Sequence, residues 1–136
     1  MRGRWNEAPI TVACCCSTRE VVDLLLAYGA SLHHSDALHL VAEDEEYRPE
    51  SVRMMSHLLG LGMDVNEISH AEYPEGRGRG FFTPLHAAAG ADFAEAITFL
   101  LKRGADREIK NTLGVTPLEH AIDCGNEAAI EALRKH

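Results

Sequence analysis

The stretch Thr83-Pro84-Leu85-His86-Ala87-Ala88-Ala89 sets the reading of the whole chain. A hydroxyl residue, then proline, then a short apolar run is the punctuation of a helix start. The Thr83 side chain can accept from an orphan amide of the first turn, and Pro84 has no N–H to lose at the first helical position. Downstream come Ala96-Ile97, Leu100-Leu101 and then Lys102-Arg103-Gly104. The last three are basic residues at the negative end of a helix dipole followed by a glycine able to turn left-handed. The same order of signs returns at Thr116-Pro117-Leu118, with Ala121, Gly125, Ala129-Ile130 and Leu133 behind it. Pro84 and Pro117 stand 33 positions apart, and self-similarity at such a spacing is the mark of a repeat architecture.

Two weaker copies precede these. Ala8-Pro9-Ile10 leads to Ala13-Cys14, Val21-Val22, Leu25-Leu26 and Gly29-Ala30, and Ala37-Leu38-His39-Leu40-Val41-Ala42 leads to Met54-Met55, Leu58-Leu59 and Gly62. Val21, Val22, Leu25 and Leu26 recur at i, i+1, i+4 and i+5, one stripe of a helix. Each copy therefore reads as a short helix, a turn, a longer helix and a glycine-terminated connection. No copy can bury its stripe alone, so neighbours must stack, each buried Leu or Ile contributing about 1.5–3 kcal/mol.

The combined motif resembles the ankyrin-repeat family over about residues 3–136, and the third copy is nearly a consensus repeat. The first copy has Ala8 and Thr11 where the family has Thr and His, and the second has Asp36-Ala37 in place of Thr-Pro, although Asp36 is a competent N-cap. The resemblance implies an all-α solenoid of stacked helix-turn-helix units joined by short hairpin-like loops. It implies one domain over 1–136, with repeats near 3–34, 35–77, 78–110 and 111–136. It further implies noncatalytic binding of a partner protein through the hairpin tips and the concave face of the inner helices.

Transferred by position, the expected contact residues of the first two repeats are Trp5, Glu7, Tyr28, Glu43 and Asp44. The third repeat and its long connection offer Arg77, Arg79, Phe82 and Arg103, and the last repeat Leu113, Val115 and Asp123. Large aromatic side chains bury much area with few rotors, so Trp5, Tyr28 and Phe82 are the expected anchors of a groove. His39 and His86 occupy the family's T-P-L-H position, which implies a bond to the backbone of their own repeat.

The spacing is uneven. Only 28 positions separate Pro9 from Ala37, whereas 47 separate Ala37 from Pro84, an excess of 14 over the family's period. About five of the extra residues fall between the helices of the second copy, in the acidic run Glu43–Ser51. About nine lengthen the connection from Asn66 to Phe82, whose tip Gly76-Arg77-Gly78-Arg79-Gly80 is basic. Loop closure costs only ~0.6 kcal/mol per doubling of length, so insertions at such places are tolerated. They are also candidate recognition elements of opposite charge.

The composition narrows the function. The chain has 136 residues, a formal net charge of −8 and 46% hydrophobic residues. This acidic balance disfavours nucleic acid or an anionic membrane as the main ligand, and no apolar run approaches the ~20 residues of a membrane helix. Cys14, Cys15 and Cys16 are consecutive and Cys124 is remote. Adjacent helical cysteines diverge by ~100° and cannot converge on one metal, so the thiols read as small apolar residues of a reduced, intracellular setting, cytoplasmic or nuclear. His33, His34 and His39 lack the spacing of a helical metal pair, and the Gly76–Gly80 segment lacks the strand and the Lys-Ser/Thr ending of a phosphate loop. Neither a cofactor, a metal nor an enzyme activity is expected.

The two ends differ. The last helix, Glu127–His136, reads as a polar cap, whereas the first repeat reads as uncapped. End-to-end self-association through that first repeat is one expectation from this. The other is that the chain is a piece of a larger ankyrin scaffold with no ligand of its own.

Overall fold

In the computed structural model, local chemistry at several helix ends satisfies orphan backbone groups. The structure describes residues 19–29, 37–42, 48–68 and 81–135, with only the backbone of residues 48 and 49. Within them lie α1 (Arg19–Ala27), α2 (Ala37–Ala42), α3 (Arg48–Gly60), α4 (Pro84–Gly90), α5 (Ala94–Lys102), α6 (Pro117–Cys124) and α7 (Glu127–Lys135), and no strand. Thr83 and Thr116 are extended N-caps ahead of prolines at the helix start. Each forms a reciprocal box with the residue three positions on. Thr116 Oγ1 accepts from Glu119 N at 3.2 Å while Glu119 Oε1 accepts from Thr116 N at 3.0 Å.

The exits of α3 and α5 share a six-to-one closure on a left-handed glycine. Met63 N donates to Leu58 O across Gly62 (φ 102°), and Ala105 N donates to Leu100 O across Gly104 (φ 94°). Asp92 is the non-glycine that takes this conformation among the described residues, at φ 54°. It stands after α4 where Gly125 (φ 70°) stands after α6, and Phe93 N closes its turn on Ala88 O.

The helices form two layers. The short first helices α2, α4 and α6 stack in order, the longer second helices α3, α5 and α7 stack beside them, and each short helix also packs on its own partner. Leu38, Met55, Leu58, Leu85, Ile97, Leu100 and Leu133 are buried between the layers. The alanines of α4 are fully buried as well. Small side chains there let α4 sit closely between α2 and α6.

One sequence expectation is corrected here. Half of the acidic insertion is helix rather than loop: α3 begins at Arg48 and runs 13 residues, against 9 in α5 and in α7. Counting back from Gly62 and Gly104, Val52 takes the place of Ala94, so residues 48–51 are an added N-terminal turn. Period counting placed these residues between two helices; Pro49 fits the first turn because those amides lack intrahelical acceptors anyway. Ser51 is buried, and Arg53 pairs with Glu50 at 3.0 Å on the exposed side. The exposed side of α7 carries Glu127, Glu131, Arg134 and Lys135, while Ile122 of α6 is exposed beside it. Residues 43–47 lie outside the described residues.

Candidate protein-binding face

Polar side chains that cross from one repeat to the next hold the hairpins in place. His86 shows the principle. Its Nε2 lies 2.7 Å from Val115 O, a carbonyl that can only accept, so the proton is on Nε2. Nδ1 is then an acceptor, 2.7 Å from Thr83 Oγ1 and 3.3 Å from Thr83 N. One buried ring thus completes the cap of its own helix and anchors the next hairpin. The bond to its own repeat is present as expected; the bond to the following repeat was missed.

His39 fills the matching role in the preceding repeat. Its Nε2 meets Glu67 O at 2.7 Å, and Phe82 contacts its ring edge-on with centroids 5.6 Å apart. Phe82 is therefore a core residue, 0% exposed. Its assignment as an anchor of an open groove is corrected: the imidazole of the preceding repeat and the apolar layer enclose it.

The acidic and amide residues of the turns exchange bonds between repeats. Asp92 Oδ1 accepts from Ala129 N at 2.9 Å, capping the first turn of α7 from the repeat before. In return, Asn126 Nδ2 donates to Ala89 O and Gly90 O at the end of α4. Asn66 Oδ1 accepts from Asp106 N at 2.7 Å while its Nδ2 reaches Gly104 O at 3.3 Å. Arg107 Nη1 donates to Leu133 O at 2.6 Å, a cation at the negative end of α7. The Gly-x-Asp spacing that recurs after α3 and α5 was the available signal for the joint between Asn66 and Asp106.

The tip after the third repeat is the best-defined segment of the open face. Asn111 is buried, and its Oδ1 accepts from Leu113 N and Val115 N, each at 3.0 Å. Gly114 turns left-handed at φ 79°. Thr112 ties this tip to the preceding one: its N donates to Phe81 O at 3.1 Å, and its Oγ1 accepts from Phe81 N at 2.9 Å. Leu113 is left projecting from a fixed backbone, 56% exposed.

The other expected contact residues fall in different places. Asp123 is exposed on α6, and Val115 is half-buried with its carbonyl committed to His86 and Asn111. Arg103 belongs to the second-helix layer: it caps α5, lies 5.4 Å over the Phe99 ring and reaches Ser56 Oγ at 3.4 Å. Tyr28 is exposed at the end of α1. Trp5, Glu7, Glu43, Asp44, Arg77 and Arg79 lie outside the described residues. Among the described residues, no three His, Cys, Asp or Glu side chains converge on one point, and no helix is long and apolar enough to cross a membrane. The backbone N–H of Thr116, then its hydroxyl, and the nearby charge of Lys110 hold the Glu119 carboxyl below its ordinary pKa against a small opposing effect of burial.

Short and long helices in two layers, glycine exits and cross-repeat imidazoles define a helical repeat stack. The chain belongs to the ankyrin-repeat family: the family model described as ankyrin repeats, in three copies, matches residues 38–136. The chain is also 35% identical, over 107 residues, to ankyrin repeat and SOCS box protein 11 of Danio rerio, an alignment covering 75% of this chain and 31% of that protein. It thus spans about a third of the length of that relative. Repeats of this family are in general protein–protein interaction modules.

Proposed function

We propose that this chain is a noncatalytic module that binds a partner protein across its hairpin tips and the open side of the first-helix layer. The observation that carries this reading is Leu113, an apolar side chain held out from a tip whose backbone is fixed by Asn111 and Thr112. An apolar residue presented on a preordered loop loses little conformational freedom on binding. Asp123 adds an exposed charge on α6, the helix this tip leads into. The free thiol of Cys124 is in keeping with a reducing, intracellular setting.

Quantitative affinity capture tests the reading. Leu113→Asp is expected to lose the captured partner, whereas Glu95→Lys on the second-helix layer is expected to retain it. Equal capture by both variants would sink the assignment of the face. A second reading, service within a longer array without a ligand of its own, is favoured by the 31% span of the relative. It predicts that no protein is captured in a Leu113-dependent way.

A further inference from the structure

The two ends of the helix stack expose apolar side chains at positions that are covered inside it. On α1, Val21 and Leu24 stand at i and i+3 and are 39% and 55% exposed. Counted back from the left-handed glycines Gly29, Gly62 and Gly104, Val21 falls in register with Met54 and Ala96. Counted from Pro84 and Pro117, Ala96 in turn matches Ala129. Met54, Ala96 and Ala129 are all buried. This position therefore faces a neighbour in every later repeat, and in α1 it faces outward.

The far end is the complement. Ile122 of α6 is 48% exposed, although Ala89, its counterpart in α4, is fully buried. Ile130 of α7 is half-buried, although its counterpart Ile97 is fully buried. The two isoleucines line an open hollow of about 600 Å³ rimmed by Glu127, Glu131, Arg134 and Lys135. Apolar centre and charged rim is the anatomy of a protein contact.

We propose that this hollow receives α1 of a second copy of the chain, which brings Val21 and Leu24 against Ile122 and Ile130. The contact continues the interface already formed inside the molecule, since the step that stacks α7 on α5 would stack α1 of the next copy on α7. In that register Arg19, the first residue of α1, comes level with Glu127, the first residue of α7, so opposite charges meet at the start of both helices. Two different faces meet, so the association is head-to-tail and open-ended rather than a closed pair. This goes beyond the partner-binding reading and uses other surfaces.

Sedimentation velocity of the 136-residue chain from micromolar to millimolar concentration tests it. The expected result is a mass that rises with concentration past that of a dimer. Leu24→Glu and Ile122→Glu each break one end and are expected to weaken association by at least about tenfold. Mixed in equal amounts they leave one intact pair of ends, so the mixture is expected to form dimers and nothing larger. Both positions are on the surface, and Val21→Glu gives a second break of the α1 end if Leu24→Glu lowers the melting temperature. A wild-type chain that stays monomeric throughout overturns the proposal. So does association that survives Leu24→Glu and Val21→Glu, or a mixture that remains monomeric.

Discussion

His39 and His86 occupy the same place in successive repeats, but the joints they make are built differently. Between the third and fourth repeats the joint is polar: His86 reaches Val115 O, Asn126 and Asp92 exchange bonds across the boundary, and the tip is closed by Asn111. Between the second and third repeats an aromatic ring is added, with Phe82 buried edge-on against His39 at a point where the connecting chain is long. A regular connection lets hydrogen bonds fix the register by themselves. Where the connection is longer in sequence, the large buried ring adds packing to the hydrogen bonds.

The largest effect should come from the aromatic joint. Phe82→Ala is expected to cost about 3–5 kcal/mol, measured by urea denaturation, and to separate the second repeat's unfolding from that of the third and fourth. A loss below about 1 kcal/mol would mean that the ring is not what holds this joint. The polar joint should be next: His86→Ala removes the partner of Thr83 N and one of the two donors to Val115 O, and is expected to cost about 2–3 kcal/mol. A double-mutant cycle with Thr83→Ala should return a coupling of at least about 0.5 kcal/mol, and additivity would deny that cap and hairpin share the ring.

Asp92 gives a smaller and more pointed contrast. Asp92→Ala loses the bond to Ala129 N and keeps the left-handed backbone, whereas Asp92→Gly loses the bond and relaxes the backbone. Alanine should therefore be the worse replacement by about 1 kcal/mol in thermal melts. Equal losses would show that the conformation stores no strain. The least effect belongs to Glu119, whose folded-state pKa lies below that of the unfolded chain. Its contribution is present at neutral pH and fades as the pH falls through that lowered value. Glu119→Gln should flatten the acidic limb of the stability–pH profile, and an unchanged profile would remove the capping box as its cause.

The helix pairs were legible because their signals are local. Thr83-Pro84 and Thr116-Pro117 announce helix starts, Gly62 and Gly104 announce helix exits, and the stripes between them give the buried faces. Residues whose role is decided by a distant partner were not legible. Phe82 beside a glycine-rich stretch reads as a surface aromatic until His39, a whole repeat away, is placed against it. Arg48-Pro49-Glu50 reads as part of an insertion because it exceeds the repeat period, yet here it stands in the first turn of a helix. The Asp92 and Asn126 exchange depends on two helix ends meeting, and single-repeat periodicity carries no trace of that. Arg103 looked like a member of the open face because sequence position alone does not say that its guanidinium turns toward Ser56.

The added turn of α3 has a consequence for how the chain finds its native arrangement. Similar repeats can dock out of order, since a misplaced unit finds nearly the same surfaces as the correct one. Four extra helical residues lengthen α3 by roughly 6 Å relative to its neighbours. Exchanging the second and third units would leave that length without its own surroundings and deprive Ser51 of its buried place. The irregular helix acts as an address within the array, and sequence order is thereby read out as spatial order.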